Sequence, residues 1–338
     1  MKILRCEEPG KMVYGTAPDP VPKEGDVVIK VLYTGVCGTD LHAYEGTQPY
    51  FTYPRILGHE IAGEVANTNG NKQYSAGELV TMLPYFSCGQ CIACRRGAFN
   101  CCTSINVFGV HSDGGMQEYI SVPANSLVKG EGLTLQELAL VEPLSIGAHA
   151  VQKAALTSGD TVAVCGAGAI GLGIMEMARM AGATIIAIDV NEQRLRFCKN
   201  ELGVAYTINA SVSNTTEAIR DITHGDMCTA LFDATGNLRA IENGLQYLAH
   251  SGKYILVGLQ KQPFSFSHPE FHKRETTLMS SRNALRTDFD QVVSAIRDNK
   301  IKPASFVTHI VPFDVAAASF SGWLLPESGV IKPMIRFF

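Results

Sequence analysis

Four cysteines, Cys88, Cys91, Cys94 and Cys102, fall within the run CGQCIACRRGAFNCC. The first three are two residues apart, and the fourth follows a short excursion through Gly97. A thiolate at every third residue lets one tight loop wrap three sulfurs around a metal. Four thiolates then close a tetrahedral zinc site that keeps no open position. Such a site contributes folding energy and performs no reaction. Two disulfides are the alternative use of the same residues, disfavoured in a reducing compartment. Cys101 adjoins Cys102, and spacing favours Cys102 as the fourth ligand. A second set has different chemistry. Cys37 lies in GVCGTDLH, His59 and Glu60 in GHE, and Glu142 in VEP. Thiolate, imidazole and carboxylate all bind zinc, and a catalytic zinc takes three protein ligands and leaves one position for water or substrate. Taken singly these residues read as a buried thiol, a satisfied histidine, a surface charge and a loop carboxylate. Their joint occurrence ahead of a dinucleotide motif favours the metal.

That motif is Gly166-x-Gly168-x-x-Gly171, with Ile170 before the last glycine, at the end of the apolar run VAVC. The first glycine permits a tight turn, the second lets backbone approach a pyrophosphate, and the third allows close helix–strand packing. The pyrophosphate would rest on the N-terminus of the following helix. A further apolar run ends in Asp189, whose carboxylate would accept bonds from the adenosine ribose hydroxyls and repel a 2′-phosphate. This favours NAD over NADP, while Arg194 offers a cation near the adenosine. An N-cap is the structural alternative for Asp189.

The elements that must hold these groups fall into two patterns. Up to about residue 146 the chain is rich in short β-type runs, such as Asp26–Leu32, Ile61–Val65 and Glu78–Met82, separated by turn signals such as PKEGD and NTNG. From about Gly147, strands (Thr161–Cys165, Thr184–Asp189, Thr229–Asp233, Lys253–Val257, Thr277–Ser280) alternate with helices (Ala169–Ala181, Glu192–Asn200). Such alternation predicts an α/β unit with a doubly wound parallel sheet over residues 147–283. A helix over Phe289–Asn299 and strand-like segments follow, and residues 284–338 are expected to return to the first domain, 1–146.

The 338 residues are 46% hydrophobic, enough for two domains with cores, and the net charge of −4 is spread along the chain. No basic block points to nucleic acid or an anionic membrane. The run MKILRCEEPG has no apolar core of signal-peptide type, and no apolar stretch reaches membrane-spanning length. The ten cysteines then suggest a reduced cytoplasm, with Cys6, Cys165, Cys198 and Cys228 as packed thiols.

On GVCGTDLH, GHE, the four-cysteine run, VEP and GAGAIG, the chain resembles the zinc-containing medium-chain dehydrogenases/reductases over essentially its whole length. The resemblance implies a GroES-like β-rich catalytic domain joined to a Rossmann domain, two zincs per subunit, NAD, and an active site in the cleft between domains. It places Cys37, His59 and Glu142 at the three catalytic ligand positions, with Glu60 ligating or standing behind them. Classical alcohol dehydrogenases carry a cysteine where Glu142 stands, and this departure points to the polyol, threonine and sugar-acid branch. The implied reaction is transfer of a hydride from a zinc-polarised alcohol to the nicotinamide. Thr39 would accept the hydroxyl proton, His42 would pass it toward solvent, and Asp40 would orient its neighbours. The runs FGVHSDGGMQEY, EPLSIGAH and FHKRETTLMSSRN are similar to bacterial sugar-acid dehydrogenases of the L-galactonate and L-gulonate C5-oxidising type. His111 and Arg282 are then candidate substrate contacts. Arg282 follows the strand Thr277–Ser280 and would emerge at the carboxyl edge of the sheet, with a guanidinium suited to gripping a carboxylate. L-Threonine and polyol dehydrogenation remain alternatives, as does a retired NAD-binding sensor. A homodimer or homotetramer is implied, with small-molecule substrates and neither nucleic acid nor membrane as partners.

Overall fold

The computed structural model describes residues 1–49, 51–130 and 132–338. The chain forms two compact units, Met1–Pro143 with Leu285–Phe338, and Leu144–Ala284.

The first unit is built on a mixed sheet. Its order is Leu127–Lys129, Leu79–Met82, Glu60–Asn67, Asp26–Gly35, Lys332–Arg336 and Val307–Pro312, and Tyr119–Pro123 also pairs with Asp26–Gly35. The central strand DVVIKVLYTG is buried along most of its length, as expected where neighbours cover both sides. The last strand, KPMIR, lies antiparallel to it, with Met334 opposite Gly35. Residues about three hundred positions apart are thereby brought together, and Lys332 enters the interior. One core cluster packs Val27, Ile29, Val31, Ile61, Val80 and Phe108 under this sheet. A second gathers Leu4, Leu57, Met116, Phe320 and Trp323 beside a small sheet of Lys11–Thr16, Lys2–Glu8 and Arg55–Ile56.

The second unit holds six strands in the order Tyr206–Asn209, Thr184–Asp189, Thr161–Cys165, Cys228–Asp233, Leu248–Leu256 and Thr277–Ser280, every neighbouring pair parallel. The chain begins in the middle, winds outward one way, then returns and winds outward the other. This is the doubly wound order, with its switch point between Thr161–Cys165 and Cys228–Asp233. Those inner strands are mostly apolar and mostly buried, as expected for a parallel sheet covered on both faces.

The strand Tyr206–Asn209 and the helices Thr215–Ile222, Leu238–Gly244 and His268–Arg274 were not foreseen from sequence. Their polar, short segments are set by Asn214, Asn237 and Ser267 caps rather than by a long periodic face. The helix Leu135–Ala154 was likewise not foreseen, since the chain up to about residue 146 reads as β-type, and it carries Pro143 in its interior. Proline removes one backbone bond there, and the two units divide at this residue.

Candidate functional site

Cys37 directly precedes the helix Gly38–Glu45, and His59 directly precedes the strand Glu60–Asn67. One side chain ties the two turns together. Asp40, 1% exposed, accepts the backbone N–H of Cys37 at 2.8 Å and that of Gly58 at 3.1 Å. The result is a group in which ligand atoms of Cys37, His59 and Glu60 all lie within 4.8 Å of one another. Glu60 faces Gly35 across the sheet, where a Cβ would stand 2.1 Å from its Oε2, so only glycine leaves room for the carboxylate.

The charge balance of this group is informative. Asp40, Glu60 and Glu142 are all buried. Lys332, 2% exposed, donates to both oxygens of Glu60, at 2.5 and 2.7 Å, and to the carbonyl of Val36 at 3.4 Å. Its ammonium is the compensating cation for Glu60 and also acts on Glu142, while Asp40 faces the imidazole of His59. Burial pushes the carboxyls of Asp40 and Glu142 above the usual range. For His59 burial works against the charged imidazole, but the neighbouring Asp40 and Cys37 outweigh it and hold its pKa well above the ordinary value. Its Nδ1 is buried, has no hydrogen-bond partner among the described residues and lies 4.0 Å from Asp40 Oδ1. A thiol, an imidazole and carboxylates gathered out of water, with too little positive charge to balance them, suit a divalent cation, and the N, O and S donors suit zinc.

The four sulfurs of Cys88, Cys91, Cys94 and Cys102 also lie within 4.8 Å of one another. The structure brings Cys102 into this group and leaves Cys101 exposed outside it. The separation of 3.4 Å between Cys91 and Cys94 Sγ is too long for an S–S bond. Backbone N–H groups of Cys88 and Ser104 point at Cys102 Sγ. Those of Cys94 and Thr103 pull the Cys91 thiol down to about 5. These donors favour the thiolate, the form that binds zinc, at Cys91, while burial pushes the Cys94 thiol up to about 11.

In the second unit, Gly166 adopts φ +98° and closes the turn after Thr161–Cys165. A Cβ on Gly171 would stand 1.7 Å from the Gly166 carbonyl oxygen, so the third glycine is dictated by helix–turn packing. Gly168 differs. A Cβ there would meet nothing nearer than Arg194 Nη1 at 3.9 Å, so the protein itself leaves that space unfilled. It lies at the N-terminus of the helix Ala169–Met180, whose first turn holds the half-buried Ile170. An unfilled cradle, free helix N–H groups and a nearby guanidinium fit a pyrophosphate. Asp189 ends the adjacent strand and accepts the N–H of Ala167 at 2.6 Å and of Asn191 at 2.8 Å. Asn191, not Asp189, caps the next helix.

The remaining candidates are placed as follows. Thr39 is half-buried on the first turn of Gly38–Glu45, and His42 is exposed three residues on, its Nδ1 3.2 Å from Thr47 Oγ1 and 3.4 Å from Glu45 Oε2. His111 accepts the Val107 N–H on Nδ1 at 2.9 Å, which commits that nitrogen to shaping a turn. Arg282 is exposed and follows the strand Thr277–Ser280 in the second unit. Glu142 stands apart from the group of three ligand atoms, its Oε1 taken by a short hydrogen bond from the Tyr85 hydroxyl. Sequence reasoning missed Lys332 and Tyr85. The one available signal was a lone lysine within the apolar run GVIKPMI.

The alcohol dehydrogenase GroES-like domain family matches residues 23–132, and the zinc-binding dehydrogenase family matches residues 169–298. The chain is 39% identical over 338 residues to the L-galactonate-5-dehydrogenase of Escherichia coli K12, covering 100% of this chain and 99% of that one. It is 32% identical to an L-threonine 3-dehydrogenase of Pyrococcus horikoshii over 94% of this chain and 93% of the relative. Among solved structures, an alcohol dehydrogenase from E. coli CFT073 complexed with NADH superposes with a TM-score of 0.93 at 31% identity, covering 100% and 99% of the two chains. The chain belongs to the zinc-type medium-chain dehydrogenases, in their polyol and sugar-acid branch. Among the described residues no helix is long and apolar enough to cross a membrane.

Proposed function

We infer that the protein oxidises a secondary alcohol of a sugar acid, of the L-galactonate or L-gulonate type at C5, with NAD as hydride acceptor. The observation that carries this reading is the gathering of Cys37, His59 and Glu60 within 4.8 Å in a chain 39% identical to an L-galactonate-5-dehydrogenase. When bound, zinc supplies a Lewis acid that makes an alcohol acidic, and NAD supplies the hydride acceptor. Cys37, His59 and Glu60 would hold the metal, and Cys88, Cys91, Cys94 and Cys102 would hold a second, structural zinc. Asp40 fixes the Cys37 and Gly58 turns and stands behind His59. Thr39 would take up the hydroxyl proton, and His42, on the same helix face three residues on and exposed, would release it to solvent. Backbone at Gly168 and Ile170 would receive the pyrophosphate, with Arg194 beside it, and Asp189 would accept the ribose hydroxyls. A 2′-phosphate would meet the Asp189 carboxylate, which is why NAD is favoured over NADP. Arg282 and His111 are the candidate partners for the substrate carboxylate and hydroxyls.

A homodimer or homotetramer in a reducing cytoplasm belongs to the same reading. The strand Thr277–Ser280 ends its sheet, and its outer backbone groups suit pairing with a second copy. The test is NADH formation over a panel of aldonates, neutral polyols and L-threonine. The expected result is a higher kcat/KM for an aldonate than for any polyol or threonine. Preference for threonine would move the chain to the amino-acid branch. Absence of turnover on every alcohol, with NAD still bound, would make it a sensor.

A further inference from the structure

Cys37, His59, Glu60 and Glu142 are four protein donors of the kinds zinc accepts, and four such donors would complete a tetrahedron. A site meant to admit a substrate oxygen must keep one of them back. Glu142 is the one that lies outside the group of the other three. Glu142 is 3% exposed and lies near enough to His59, Glu60 and Lys332 for their charges to act on it. Its carboxylate is nonetheless absent from the cluster formed by the other three, and the Tyr85 hydroxyl donates to its Oε1.

Tyr85 is well suited to holding a neighbour in place. It opens the short strand Tyr85–Phe86, paired in register with Val107, so its backbone is fixed just before the four-cysteine lobe. Its ring stands edge-on to Phe289, with centroids 6.4 Å apart and planes at 77°. A phenol held at both ends presents its hydroxyl in one direction, and the buried Glu142 carboxylate accepts from it. Glu60 is held differently, by a charged ammonium within the same small volume as Cys37 and His59.

We propose that Tyr85 is a positioning residue whose hydroxyl keeps Glu142 out of the metal's ligand set, so that three protein donors remain and one coordination position stays open. This rests on the zinc-dehydrogenase reading above. Tyr85→Phe keeps the ring on Phe289 and removes only the tether. Glu142 is then free to become a fourth donor.

The experiment measures zinc affinity at the Cys37 site by competition with a chelator, alongside steady-state kinetics, in wild type, Tyr85→Phe, Glu142→Gln and the double variant. Cys37→Ser protein supplies the baseline for the cysteine-lobe zinc. In Tyr85→Phe, zinc should be held about tenfold more tightly or better, and kcat should fall by a similar factor. Glu142→Gln alone should hold zinc as wild type does. The double variant should match Glu142→Gln in both readouts, because no carboxylate remains to be released. Weaker zinc binding in Tyr85→Phe or in Glu142→Gln would make Glu142 a ligand that Tyr85 presents to the metal, and would overturn the proposal. So would a rise in KM alone with zinc affinity unchanged, which would place the hydroxyl on the substrate. Wild-type behaviour of Tyr85→Phe in both readouts overturns it as well. Wild-type protein that holds no zinc at the Cys37 site, or forms no NADH from any alcohol, instead removes the functional reading, and the proposal with it.

Discussion

Replacing Lys332 with methionine removes an ammonium and keeps an unbranched stem, so it isolates charge from volume. Lys332 and Glu60 are 2% and 0% exposed, and two contacts of 2.5 and 2.7 Å join them. Deleting one member of such a pair costs about 3–5 kcal/mol, because the survivor is left charged without water or partner. Here the survivor is a carboxylate in company with buried Asp40 and Glu142, so the upper part of that range is expected for metal-free protein. A bound dication restores part of the lost compensation, and the cost should shrink in the zinc-loaded form. A local probe is required because the chain has two compact units. Trp323 is the chain's one tryptophan and is packed in a core of the same unit as Lys332. Guanidinium titrations followed by its fluorescence should show the midpoint of Lys332→Met falling by roughly 0.5–1.5 M without zinc. Adding Glu60→Gln should recover most of that loss, since two neutral partners carry no stranded charge. A Lys332→Met protein within about 0.5 kcal/mol of wild type, or a double variant showing the plain sum of the single losses, would refute the assignment of Lys332 as the compensating cation.

Three further outcomes are expected. In chelator-treated protein, Asp40 and Glu142 carry raised pKa values through burial, and His59 a raised one because Asp40 and Cys37 outweigh burial. The folded state therefore keeps protons that the unfolded state releases, and the stability of the first unit should fall as pH rises from about 4 past about 6.5. Trp323-monitored denaturation at pH 5 and 8 checks this, and a stability that rises with pH and is unaltered by Glu142→Gln counts against it. Asp189→Ala should raise KM for NAD by about tenfold to a hundredfold and shift the NAD-to-NADP preference toward NADP, measured by paired kinetics; a wild-type enzyme already preferring NADP defeats the ribose assignment. Cys94→Ser should lower zinc from two per subunit to one and reduce the melting temperature, while Cys37→Ser should lose turnover and keep its thermal unfolding; elemental analysis and calorimetry separate the two.

What could be seen in the chain and what could not divides by distance along it. The turn Gly166 to Gly171 and the strand ending at Asp189 span one supersecondary unit, and their residues are chosen by contacts a few positions away. Gly171 is glycine because of the Gly166 carbonyl, and that pressure is visible locally. The cysteine lobe is equally local, with Gly97 at φ +78° turning the chain back toward Cys102. The Asn-capped helices of the second unit escaped notice because cap and short amphipathic face are weak signals by themselves.

The Cys37 group is a different case, since the residue types gathered there were readable but their charge balance was not. Which carboxylate stands with Cys37 and His59 depends on Lys332, 272 residues from Glu60, and on Tyr85, 57 residues from Glu142. Neither partner sits in a motif. Lys332 reaches the interior only because Lys332–Arg336 pairs with Asp26–Gly35, and Tyr85 faces Glu142 from a two-residue strand beside the cysteine lobe. The donors can be named from spacing because zinc chemistry restricts which residue types will serve. The surroundings of each donor are set by long-range contacts, here a buried ammonium on Glu60 and a phenol on Glu142. A zinc site of this kind is therefore specified twice, once by residue type along the chain and once by the fold that delivers the counter-charges.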